Sequence, residues 1–147
     1  MTILRPLALL AALPALLGAA PAHTVDVRVA ITELRSQRGV VRACMTSDPV
    51  RFPKCRGDAN AYSIVVQASE AQSLDFPGVR PGTYAIALLH DENGNGEADR
   101  TLGLMPREGF GFSRDARIRM GPPSFGDAAF DVSDAPVRQT IRMRYML

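Results

Sequence analysis

Charge of one sign is the first thing this sequence lacks: 17 lysines and arginines stand against 15 aspartates and glutamates in 147 residues. Affinity for a phosphate backbone needs a clustered basic stripe, so nucleic acid is set aside as a partner. Long apolar runs are also missing after the first residues. The run from Leu7 to Leu17 is broken by Pro14 and is shorter than the roughly 20 residues a helix needs to cross a bilayer, so no membrane span is expected in the mature chain. No long segment repeats apolar residues at helical spacing between caps, and 12 glycines and 11 prolines interrupt the pattern, which makes helix the minority state. The length leaves no room for a second catalytic domain or a doubly wound nucleotide-binding sheet.

The start of the chain reads as an address. The apolar run follows Arg5, and Ala20-Pro21-Ala22 places small residues where a signal peptidase cuts, so residues 1–22 are predicted to be a removed signal peptide. Residues 23–147 then form a single exported domain, periplasmic or secreted. No cysteine lies at the cleavage point, so no lipid attachment is expected. In an oxidising compartment the two cysteines, Cys44 and Cys55, are expected to pair as a disulfide; they lack the Cys-x-x-Cys spacing of a redox or metal pair.

Strands dominate the rest. Val25, Val27, Val29 and Ile31 alternate with Asp26 and Arg28, the period of a half-buried strand. Further strands are predicted over Val40 to Thr46, Tyr62 to Ala68, Thr83 to His90, Ala128 to Val132 and Val137 to Tyr145. In the last of these Ile141, Met143 and Tyr145 point inward and Arg138, Arg142 and Arg144 face water. Short strands with turn signals between them predict an all-β fold, a small antiparallel β-sandwich of immunoglobulin-like or prealbumin-like type. Its one long irregular region, Asp91 to Gly126, is where function is sought.

Within that region Asp91-Glu92-Asn93-Gly94-Asn95-Gly96-Glu97-Ala98-Asp99 carries oxygen-bearing side chains at alternate positions, then a glycine, then another carboxylate. Asp91, Asn93, Asn95 and Asp99, with the Glu97 carbonyl, match the opening positions of a calcium loop. The bidentate glutamate of an EF-hand is absent, because Leu102 stands at its place, and Glu108 or Asp127 is the candidate substitute. Calcium is therefore the candidate cofactor, bound weakly. The plainer reading is an Asn-Gly turn with solvated acids.

Taken together, Pro81-Gly82-Thr83-Tyr84-Ala85-Ile86, His90-Asp91-Glu92-Asn93-Gly94-Asn95-Gly96, Glu108-Gly109-Phe110-Gly111-Phe112-Ser113, Pro122-Pro123-Ser124-Phe125 and Ala128-Ala129-Phe130 resemble a secreted bacterial family known as domain of unknown function (DUF) 2141. The resemblance runs from about Val25 to Tyr145 and implies an exported β-sandwich without implying a reaction. The cysteine-bracketed stretch around Pro49 to Gly57 departs from the family pattern.

Three other constellations remain. Phe110, Phe112 and Phe125 are candidate ligand contacts for a sugar, peptide or apolar molecule, against the plainer reading that they pack into the end of the sandwich. His23, first in the processed chain, would chelate copper if His90 and Asp91 were brought to it. No catalytic residue is assigned: Ser113 and Ser124 lack the complete nucleophile-elbow pattern, and Asp91 with Glu108 is the carboxylate pair a hydrolase would need. The expectation is a non-enzymatic binding or structural module of the cell envelope, meeting an envelope protein or small ligand; a copper-binding protein and a carboxylate-based hydrolase are the alternatives.

Overall fold

In the computed structural model, residues 22–98, 100–101 and 105–146 are described. Asp99, Leu102 and residues 1–21 of the predicted leader lie outside them. The strands in chain order are β1 (Val25–Thr32), β2 (Val40–Thr46), β3 (Tyr62–Gln67), β4 (Ser73–Val79), β5 (Gly82–Asp91), β6 (Arg100–Thr101), β7 (Met105–Pro106), β8 (Gly109–Phe112), β9 (Phe130–Val132) and β10 (Val137–Arg142). A single helical turn, α1 (Phe125–Ala128), precedes β9.

Of the two main sheets, one has the order β10-β1-β4 and the other β3-β2-β5-β8, with β9 paired to the start of β5; β6 and β7 pair only with each other in a small antiparallel ladder. The fold is all-β and sandwich-like, as expected. One ladder departs from a purely antiparallel plan, since β1 and β10 run parallel, Val27 opposite Val137 and Ile31 opposite Ile141. The period-two alternation of β1 sends Val25, Val27, Val29 and Ile31 into the core. There they meet Val41, Ala43 and Met45 of β2, Leu74 and Phe76 of β4 and Ile86 and Leu88 of β5. Each fully buried valine, leucine or isoleucine of this set contributes about 1.5–3 kcal/mol relative to exposure.

The strand β5 is buried on both faces. Ile86 and Leu88 look into the sandwich, while Ala85 and Ala87 look outward and are roofed by Phe52, Phe112, Ala116 and Ala128. Small residues on that outer side let the aromatic roof lie close. Cys44 of β2 is joined to Cys55, with Cα atoms 6.3 Å apart, and this disulfide ties down the loop that carries Phe52. Closing a loop of this length contributes about 3 kcal/mol in the chain-entropy picture.

Several local expectations change. The stretch 109–112, read as loop, is strand β8, paired to the last part of β5 with Gly109 opposite His90. The segment 73–79 is an unforeseen strand. Ala128 closes the helical turn, so β9 begins only at Phe130. The last strand ends at Arg142, and Arg144 is not part of a solvated face. Its backbone exchanges two hydrogen bonds with Phe110, and its guanidinium donates to Asp115 Oδ2 at 2.8 Å. This bridge stitches the tail of the three-stranded sheet to the edge of the five-stranded one.

Candidate functional site

The end of the sandwich at which β5 leaves the sheet collects a chain of buried polar groups. His90, Asp91 and Glu108 are all buried, the first two completely. Burial of polar atoms is tolerated only when hydrogen bonds replace those lost to water. Asp91 meets that demand from its own loop and from β2: Oδ1 accepts from the amides of Gly94 (2.7 Å) and Asn95 (3.1 Å), and Oδ2 from the amide of Gly96 (2.8 Å) and from Arg42 Nε (2.8 Å). Gly94 and Gly96 stand at φ +72° and +80°, the left-handed conformation that lets these amides converge on one carboxylate. Burial pushes the Asp91 carboxyl up, but the Arg42 guanidinium and the Gly96 and Gly94 amides together outweigh it and hold it below the usual range.

The neighbouring side chains continue the pattern. Asn93 Oδ1 accepts from the Asn95 amide and Asn95 Oδ1 from the Glu97 amide, so each alternate oxygen meets a backbone N–H further along. Glu92 turns the other way, where the Arg35 guanidinium and the Ser36 hydroxyl donate to it. The hydrogen bond from Arg35 is the main reason its carboxyl drops to about 2. Arg35 also lies 4.4 Å above the centre of the Tyr145 ring. Behind that ring, His90 Nδ1 lies 2.7 Å from Tyr145 Oη and His90 Nε2 2.9 Å from the Arg38 carbonyl. Gly109 must be glycine here, because a Cβ would run into the Tyr145 ring.

The structure thus gathers Asp91, Asn93, Asn95 and Glu97 in one tightly wound loop; Asp99 lies outside the described residues. Glu108 sits one residue beyond the Gly109–His90 pair, at the same end and buried, where its charge acts on Arg35. Asp127 is not there. It closes a capping box with Ser124 on α1, whose Ala128 carbonyl accepts from Ser113 Oγ, and that same oxygen accepts from the Ile86 amide, five residues back along β5 from Asp91. Among the described residues no group of three or more histidine, cysteine, aspartate or glutamate side chains is disposed to hold a metal ion.

The copper constellation is taken apart by topology. His23 lies against the Asp134 carbonyl near the start of β5, where Gly82 pairs with Val132, whereas His90 and Asp91 are at its far end. Eight residues of strand separate the two ends by roughly 26 Å. The three phenylalanines take the packing role: Phe112 is 2 % exposed, and Phe52 meets Phe112 and Phe125 edge-on at 5.9 and 6.1 Å. Phe110 and Phe125 are half-buried beside them. Ser113 is fully buried with its hydroxyl bonded on both sides, and Ser124 caps α1.

Not foreseen as part of the site were Arg42, Arg35, Ser36 and Tyr145, the last of which was expected only as an inward-facing strand residue. Arg42 and Arg35 lie 49 and 57 residues from their carboxylate partners; the pairing of β2 with β5 brings in the first and the β1–β2 connection the second.

Fold and site together describe an all-β sandwich whose end is laced by charge-assisted bonds around a Gly-rich turn. The chain belongs to the family described as an uncharacterized protein conserved in bacteria, DUF2141, whose model matches residues 29–140. No curated protein and no solved structure matches the chain.

Proposed function

We propose that the protein is an exported, non-enzymatic β-sandwich of the cell envelope, acting as a binding or structural module. One observation carries this reading: the buried Asp91 and the half-buried Glu92 are committed to the fold itself, Asp91 to three amides and Arg42, Glu92 to Arg35 and Ser36. A catalytic acid or base must reach a substrate atom, within about 3 Å or through one water. Asp91, fully buried with both oxygens occupied, serves instead to wind the loop.

Calcium is part of the proposal as a weak ligand of the 91–99 loop. Its support is the run of side-chain oxygens at 91, 93 and 95 around two left-handed glycines. Arg42 already balances Asp91, so the cation would add stability rather than create the loop. The test follows thermal unfolding of the metal-free protein as calcium is added. At ten times the dissociation constant, stabilisation is about 1.4 kcal/mol, a rise in Tm of about 4 °C or more. No rise at millimolar calcium removes the cation, and a rise that persists unchanged in Asn95→Ala places it elsewhere. Export is checked separately, by fractionation of cells and by sequencing the mature amino terminus, which is expected at His23.

A further inference from the structure

On the outer face of the five-stranded sheet two loops rise from the same aromatic roof. The first, residues 48–58, is pinned by the Cys44–Cys55 disulfide and by Phe52; the second, residues 116–124, is anchored by Ala116 and Ile118 on the same cluster. Each carries an apolar residue held out in solvent, Val50 at 88 % and Met120 at 105 % exposure. Each flanks that residue with exposed cations, Lys54 and Arg56 on the first and Arg117 and Arg119 on the second. Among the described residues none of these four cations enters a salt bridge, whereas the neighbouring acids are engaged: Asp48 lies 3.9 Å from Arg51, Thr46 donates to Asp58, Arg144 holds Asp115 and Ser124 donates to Asp127. Each loop also borders an open cleft: Arg51, Lys54 and Arg56 line one without an acid, and Arg117 and Arg119 line the other beside Asp115 and Asp127, the first held by Arg144 and the second bonded to Ser124 with Arg119 acting on it through space.

We propose that this face docks onto an anionic membrane surface, with Val50 and Met120 entering the headgroup boundary and the surrounding cations meeting lipid phosphates. An apolar tip ringed by Lys and Arg matches the polarity gradient of a bilayer interface, in which the long cationic side chains reach back to the headgroups. Single-stranded nucleic acid would call for exposed aromatic platforms, and here Phe52 and Phe112 are turned into the roof. The partner refines the envelope reading proposed above and rests on it.

The test is cosedimentation of the exported protein with vesicles of phosphatidylcholine, alone or mixed with phosphatidylglycerol. Binding is expected only to the mixed vesicles, and is expected to fall away at high salt as the charges are screened. Removing a cation should weaken it about fivefold, so Arg117→Gln with Arg119→Gln costs roughly thirtyfold. Val50→Ser with Met120→Ser should also weaken it, and both pairs should keep the parent's thermal unfolding because the side chains are exposed. Equal affinity for both vesicles, binding to neither, insensitivity to either pair of substitutions or displacement by free glycerol phosphate would each overturn the proposal. Capture of polyglutamate in place of vesicles would make the partner an acidic protein and overturn it as well. Because export is read by fractionation, a failure here leaves the envelope address standing.

Discussion

Two regions of the molecule treat charge in opposite ways. Where β5 ends, Asp91, Glu92, Arg35 and Arg42 are bonded to one another and to backbone, and the group at the centre is withdrawn from water. On the outer face, Lys54, Arg56, Arg117 and Arg119 stand exposed without salt bridges among the described residues, beside the exposed Val50 and Met120. Charges already bonded to the fold are architecture. Charges left facing solvent beside apolar tips are available to a partner. Substitutions in the first region should therefore damage stability, and those in the second should damage binding alone.

The largest stability effect is expected from Asp91→Ala, which strips three amides and Arg42 of their common acceptor. Loss of a buried, charge-assisted acceptor costs about 3 kcal/mol, somewhat reduced by the partial exposure of Arg42. Urea unfolding measures it; a cost under about 0.5 kcal/mol, the size of an ordinary surface change, would break the contrast. Acid should act next through Glu92, whose carboxyl is held at about 2 in the folded protein against an ordinary 4.5. As pH falls the unfolded chain takes up that proton first, so the contribution is complete above about 4.5 and is lost progressively toward 2. The full difference is worth roughly 3–4 kcal/mol, and solvent screening at the partly exposed Arg35 reduces it to about 2–3 kcal/mol. Glu92→Gln should flatten stability across that window, and an unchanged pH profile would show that the Arg35 contact carries no such weight.

Gly109→Ala should cost about 1–3 kcal/mol, because the added methyl group meets the Tyr145 ring and disturbs the His90 contact behind it. Restored stability on combining it with Tyr145→Ala would confirm the collision. The smallest effect belongs to the other region: Arg117→Gln with Arg119→Gln should leave unfolding within about 0.5 kcal/mol of the parent. A larger loss would mean that these arginines, too, belong to the architecture.

Strands whose inward residues alternate cleanly were legible in the sequence. Val25 through Ile31 of β1 and Val40 to Thr46 of β2 follow the period directly, and β5 announced itself behind Pro81-Gly82. The segment 73–79 was hidden by Pro77-Gly78, punctuation that normally argues against a strand; β4 tolerates it because it lies at a sheet edge, where one missing donor breaks no ladder. Strand β8 was hidden for the reverse reason. Its glycines read as loop, yet Gly109 and Gly111 are there because Tyr145, Ile141 and Met143 press against that strand.

At the site, the alternate oxygens of 91, 93 and 95 were visible as a local pattern. Their binding partners were only partly so. The amides of Gly94, Asn95, Gly96 and Glu97 follow from a tight turn, but Arg42 arrives from β2 and Arg35 from the β1–β2 connection, and neither leaves a local mark. His90 was readable as a titratable residue near the loop; its partner Tyr145 emerges only once the tail crosses to β8, and the Arg38 carbonyl only once β2 pairs with β5.

The measurement closest to the heart of the matter is amide hydrogen exchange at Gly94, Asn95 and Gly96 with calcium chelated. Amides bonded to a buried carboxylate should be protected like those of the adjoining strand, and Asp91→Ala should release all three together. Exchange at the unprotected rate in the parent protein would contradict the claim that Asp91 is spent on holding this end of the sandwich.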